Sequence, residues 1–125
     1  MAREFLDRSA QRWALIRRID QANTNLAIFV HGFRGNYLST WGNLPEALTE
    51  CADRQAPFDR WDYVFIGYET STVSNLLAIA DLLNSQWKIA VSGQAPFDHC
   101  YDQVALFGHS LGTLGIRQLL CATCE

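Results

Sequence analysis

Apolar residues recur along this chain in two rhythms. Three short unbroken runs, Leu26–His31 (LAIFVH), Tyr63–Tyr68 (YVFIGY) and Val104–Phe107 (VALF), have the length and composition of strands buried on both faces. The other rhythm is helical. Leu44, Ala47, Leu48 and Cys51 form one face after Pro45, a residue suited to a first helical turn. Leu76, Leu77, Ala80, Leu83 and Trp87 make a stripe through residues 76–90, and a third helix is expected over Leu111–Cys121. Residues 5–20 place Leu6, Ala10, Trp13, Ile16 and Ile19 at helical spacing, which predicts an amphipathic helix, although WALIRRI within it also suits a strand. Turn-rich stretches separate these elements: Asn23–Asn25, FRGNYLSTWGN, PFDRWD, Glu69–Asn75 and Ser92–Asp102. Strands alternating with helices predict an α/β domain, a three-layer αβα arrangement with a mainly parallel sheet. Residues 1–24 would be a helical lead-in to a core over 25–125.

Composition narrows the function classes. With 125 residues, 49% hydrophobic and 18% charged, the chain suits one globular domain with much buried surface. A net charge of -3 with interspersed signs gives no electrostatic case for nucleic acid. No apolar stretch approaches the roughly 18–20 residues of a membrane span. The N-terminal MAREFLDRSAQRWALIRRI is too often interrupted by charge to be a secretory signal, and Glu4 and Asp7 argue against a mitochondrial presequence. The four cysteines, at 51, 100, 121 and 124, are then expected to be reduced cytoplasmic thiols. Cys121 and Cys124 form a lone CxxC; a structural zinc site needs a second pair, so two small helical residues is the preferred reading.

The chemistry concentrates in GHSLG, residues 108–112, directly after the third apolar run. A serine on a sharp strand-to-helix turn needs small neighbours two residues away on each side, and Gly108 and Gly112 supply them. Ser110 is the candidate nucleophile, and the backbone N–H of Leu111 at the following helix start is the expected oxyanion donor. His31-Gly32-Phe33 follows the first buried run, so Phe33 N–H would be the second donor, with Gly32 allowing the sharp turn. His31 is expected to brace that loop as a buried, hydrogen-bonded histidine. His109 is expected to be structural or at a pocket edge, and His99 at the surface. Asp53, Asp59, Asp62, Asp98 and Asp102 fall near strand beginnings or helix exits, and Asp81 on a solvated helix face. Tyr37, Trp41 and Tyr68 lie on the expected substrate side, where aromatics either line a pocket or pack the loops.

With LAIFVHGFRGNYLSTW and VALFGHSLG together, the chain resembles the N-terminal half of an α/β-hydrolase, of the serine esterase/lipase-like branch that includes HGxxG hydrolases and glycolipid-anchor deacylases. The likeness runs from about Leu26 to Leu120. It implies that Ser110 forms an acyl-enzyme, that Phe33 and Leu111 make the oxyanion hole, and that the substrate is a small-molecule or lipid ester. It also implies that the three runs are the third, fourth and fifth strands, with 26–31 between the other two. No metal or organic cofactor is implied. Thr113 stands where the family often has a second glycine. In such enzymes the acid and base follow the serine, yet only thirteen residues follow Gly112. A partial, truncated hydrolase fold with little or no activity of its own is therefore expected. The alternatives are a non-catalytic interaction module, or one half of a two-chain hydrolase. The module would use the unpaired edge of the last strand for association, and in the two-chain enzyme a partner would provide base and acid.

Overall fold

Leu15 and Ile16 are adjacent and both fully buried, yet they lie in different apolar clusters. Leu15 packs with Leu26, Ile28, Val30 and Val64, whereas Ile16 packs with Ala27, Phe29, Tyr63 and Phe65. Neighbours that point to opposite faces belong to a strand. The computed structural model describes residues 3–8, 12–19, 22–31, 36–50, 56–68, 76–93, 97, 100–109 and 111–123. In place of the expected helix over 5–20 it has two antiparallel strands, β1 (Arg3–Arg8) and β2 (Trp13–Arg18), with Phe5 opposite Ile16 and Leu6 opposite Leu15. The helical spacing misleads because β2 is an inner strand. Its apolar residues are consecutive rather than alternating, a pattern that also fits a helical stripe.

The remaining elements lie where their rhythms predict. They are β3 (Asn25–Val30), α1 (Leu44–Glu50), β4 (Trp61–Ile66), α2 (Leu76–Ser92), β5 (Gln103–Gly108) and α3 (Leu111–Thr123). The fourth strand is shifted two residues towards the N-terminus and ends at Ile66, beyond which Gly67 donates its N–H to the Arg12 carbonyl at 2.7 Å.

The sheet order is β1-β2-β4-β3-β5. Strand β3 lies between β4 and β5 and parallel to both, the order the resemblance implies. The β1–β2 and β2–β4 pairings are antiparallel, so the sheet is mixed and not mainly parallel. The expected three-layer sandwich is not built either. Helices α2 and α3 cover one face through Ile79, Ala80, Leu83 and Ile116. On the other face, the described cover is the seven-residue α1, through Leu48, with Leu38 and Trp41 beside it. Close packing of α2 and α3 depends on Gly115, where a Cβ would lie 2.5 Å from Ile79 Cγ2.

The two edges differ. Strand β1 carries Glu4, Asp7 and Arg8 besides the buried Arg3, with Glu4 paired to Arg17, and such charges discourage edge-to-edge association. Strand β5 (QVALFG) has no charge, and its Phe107 is 48% exposed. At the beginnings of the parallel strands, buried Asp62 (1% exposed) accepts hydrogen bonds from Arg18 N–H (3.3 Å), Asn23 Nδ2 (3.1 Å) and the Tyr101 hydroxyl (2.7 Å). Asp102 and Gln103 donate to the Thr24 carbonyl nearby. This network fastens the sheet at the end away from GHSLG. No helix among the described residues is long and apolar enough to cross a membrane.

Candidate active site

Strand β5 ends at Gly108 and α3 begins at Leu111, leaving His109 and Ser110 as the connection. Ser110 itself lies outside the described residues, as do Gly32 and Phe33. The joint around it is nevertheless sharply defined. A Cβ at Gly108 would lie 2.6 Å from both Cα and N of Thr113 and 2.8 Å from its Oγ1. Only glycine lets the first turn of α3 fold back against the strand end so closely. His109 N–H donates to the Val30 carbonyl at 3.0 Å, tying the exit of β5 to the last residue of β3. The two loops that carry the sequence-predicted chemistry, after Val30 and after Gly108, therefore leave the sheet side by side. At the start of α3 the first N–H groups, Leu111 and Gly112 among them, have no intrahelical acceptor, and the helix dipole is positive there.

His31 is buried and hydrogen-bonded. It is 1% exposed, its Nε2 accepts the Tyr68 N–H at 3.1 Å, and its carbonyl accepts the Tyr68 hydroxyl at 2.7 Å. The two rings stack at 4.3 Å and 10°. An Nε2 acting as acceptor places the neutral imidazole proton on Nδ1. That lone pair is occupied, so His31 is not available as the base for Ser110.

The three aromatic candidates separate. Tyr68 is buried against His31, and burial raises its phenol pKa. Tyr37 is also buried, and its hydroxyl donates to Asp7 Oδ1 at 2.7 Å. Trp41 alone stands beside the serine turn, half-buried, with its ring edge-on to His109 at 6.2 Å and to Phe29 at 5.2 Å. Its Nε1 is buried with no partner among the described residues. His109 is exposed at this edge. Cys121 is an exposed free thiol on α3, whereas Cys124, Cys51, Asp53, Asp98 and His99 lie outside the described residues.

Among the described residues Asp62, Asp7 and Glu4 have firm side-chain partners, and none of the three reaches the serine turn, Glu4 lying on β1 with Asp7. Asp62 sits at the opposite end of the strands. Asp7 is on β1, four inter-strand spacings from β5, roughly 19 Å at about 4.8 Å each. Asp81 is exposed on α2. Among the described residues, no three of His, Cys, Asp and Glu converge as a metal site. A 460 Å3 apolar groove lies on the less covered face, lined by Ala27, Phe29, Leu48, Trp61, Tyr63 and Phe107 among others. Phe107 stacks on Phe29 at 4.9 Å, so the groove approaches the Trp41 side of the turn through that pair.

Sequence reasoning did not assign Gly67 or the turn at Asn36. Asn36 Oδ1 accepts the N–H groups of Leu38 (2.9 Å) and Ser39 (3.1 Å), and its own N–H donates to Thr40 Oγ1 (2.8 Å). The Asn-Tyr-Leu-Ser-Thr string is a readable signal for such a turn. Gly67 has no comparable local signal.

Burial raises the phenols of both Tyr37 and Tyr63 from 10.0 to about 12. For Tyr37 the Asp7 hydrogen bond and charge add to burial, and for Tyr63 the lowering by Arg3 is outweighed by burial with Asp62 and Asp59. A pKa raised by folding gives stability that is complete below the unfolded value and lost as pH rises through the folded one. Stability from these groups should thus hold to about pH 10 and fall towards pH 12. Tyrosinate absorbance should show at least three of the four phenols, those of Tyr37, Tyr63 and Tyr68, titrating late, with Tyr37→Phe removing one. Four phenols ionising together near pH 10 in folded protein would contradict this. No family model, no curated protein and no solved structure matches the chain.

Proposed function

We propose that this chain supplies the nucleophile and oxyanion hole of a serine hydrolase acting on carboxylic esters, related to the esterase/lipase-like α/β-hydrolases. The observation that carries the reading is the joint of Gly108 with Thr113, together with the His109–Val30 hydrogen bond. A glycine pressed on a helix start is what a serine turn of this type requires. The bond to Val30 sets the exit of β5 beside the exit of β3, after which the sequence reads His-Gly-Phe.

In this mechanism Ser110 Oγ attacks the ester carbonyl, and the N–H groups of Phe33 and Leu111 hold the oxyanion. The alcohol leaves, and water releases the acid from Ser110. Each oxyanion donor is worth about 10²–10³ in rate. The proton of Ser110 has to pass to a base held outside the described residues, with an acid orienting it. Without such a base and acid Ser110 is a slow nucleophile at best. We place it in the cytoplasm, where the exposed thiols Cys100 and Cys121 stay reduced. The uncharged β5 edge with Phe107 half-exposed favours one second reading, a hydrolase completed by association at that edge.

A fluorophosphonate probe tests the main reading. Purified protein should label slowly and only at Ser110, with labelling lost in Ser110→Ala. No labelling at saturating probe, or labelling that survives Ser110→Ala, would sink it. For the second reading, sedimentation should show concentration-dependent association, and a monomer at all concentrations would exclude it.

A further inference from the structure

Strands β3 and β5 set two alanines side by side, Ala27 against Ala105, and two phenylalanines at the next level of the same face, Phe29 against Phe107. The phenylalanine level is filled: the Phe29 ring stacks on Phe107 at 4.9 Å and on Phe65 at 4.7 Å. The alanine level is open. Over it lies the 460 Å3 groove, whose lining residues, Leu44, Leu48, Tyr63 and Phe107 among them, are all apolar or aromatic.

The hydrogen-bonding parity of the β5 edge is also fixed. Gln103 N–H bonds to the Thr24 carbonyl and His109 N–H to the Val30 carbonyl, both on the β3 side. Alternate residues of a strand direct their backbone groups to the same neighbour, so Val104, Leu106 and Gly108 turn theirs to the open edge. Antiparallel pairing of β5 with itself about a two-fold axis at Leu106 matches these groups. Leu106 then meets its own copy, and Val104 of each chain meets Gly108 of the other. The same register puts Phe107 of one copy directly opposite Ala105 of the other, on the groove face, in the closer class of cross-strand pair.

We infer that β5 pairs antiparallel with β5 of a second copy of this chain, each Phe107 seated over the Ala27–Ala105 pair of the other. The inference rests on the second reading above, association at that edge, and names the partner. A two-fold axis sets residues near it against their own kind, so a charge there would repel itself. QVALFG carries none, whereas β1 at the other edge carries Glu4, Asp7 and Arg8. One such edge per chain closes the assembly at two. Six residues make an edge about 20 Å long, and a sheet with one helix layer is about 20 Å deep, some 400 Å2 per copy. That is about half of the roughly 800 Å2 per partner of a standard interface, so the dimer is a weak one, forming at roughly 10–100 µM.

Sedimentation velocity over roughly 1–200 µM should show a monomer–dimer equilibrium. Ala105→Leu fills the groove from within its own chain and meets the incoming Phe107. It should weaken the dimer about 10-fold or more, with a melting temperature no lower than that of wild type. General apolar adhesion has the opposite sign, since a larger apolar residue at an open edge strengthens it. Association unchanged or strengthened by Ala105→Leu therefore overturns the inference, as does a wild-type monomer at every concentration. If Ala105→Leu does not fold, Phe107→Lys removes the seated ring and charges the edge. It should be monomeric throughout, and a persisting dimer overturns the inference. Fluorophosphonate labelling along the same series separates the pairing from its use. A per-chain rate that stays flat while the dimer forms sinks the two-chain hydrolase and leaves the pairing standing.

Discussion

Gly108→Ala is expected to destabilise the protein by about 3 kcal/mol and to lower its melting temperature by roughly 10 °C. Overpacking a tight site costs about 1–3 kcal/mol, and the upper end applies because the clash is with backbone. A Cβ at 108 meets Thr113 N and Cα at 2.6 Å, and neither can swing aside as a side-chain tip would. The strand cannot retreat, since Gly108 pairs with Val30 in the ladder and His109 N–H is bonded to the Val30 carbonyl. The helix cannot retreat either, because two residues later Gly115 already touches Ile79 on α2. The strain must then fall on the connection that holds Ser110, so the folded fraction of the variant should label more slowly than wild type. Thermal melts followed by circular dichroism decide it. A melting temperature within about 2 °C of wild type would mean that the close approach is not a constraint.

Asp62→Ala should cost more, on the order of 3–5 kcal/mol, without touching the serine turn. Its carboxylate is buried and takes hydrogen bonds from three donors on three segments: Arg18 N–H, Asn23 Nδ2 and the Tyr101 hydroxyl. Truncation takes a buried acceptor from each of those donors, at about 1–3 kcal/mol each before relaxation, although Asn23 Nδ2 keeps the Asp59 carbonyl at 3.3 Å. Asp62→Asn should lose less than half as much, since an amide oxygen still accepts and the Tyr101 oxygen can itself accept from the amide nitrogen. Urea unfolding measures both variants. The labelling rate of the folded fraction should match wild type, because the network sits at the far end of the strands. A loss below about 1 kcal/mol for the alanine variant would show that water replaces the carboxylate there.

Asp62 and Gly108 mark the two limits of what was readable. The sequence suggests that Gly108 serves a serine turn, and the contact with Thr113 supplies the reason. Asp62 reads only as an acid near a strand start, because its donors come from residues 18, 23 and 101. The same distance effect hides the first strands. Arg3 is buried, donating to the carbonyls of Trp61 (2.9 Å) and Phe58 (3.0 Å), more than fifty residues away. A helical reading of residues 5–20 has no access to that partner. Tyr68 shows it at the site: its neighbours in sequence say aromatic residue after a strand, and only His31 gives it a task.

By itself the sequence determined β3, β4, β5 and the three helices, and it put a serine flanked by glycines between β5 and α3. Those features follow from local periodicity and from backbone that only glycine tolerates, so they are written within a few residues. Only the tertiary structure decided that residues 13–18 are an inner strand, that the sheet is mixed, and that Tyr68 stacks on and hydrogen-bonds to His31. Each of these depends on which buried surface or unpaired polar group lies opposite, and the chain brings that partner from thirty or more residues away.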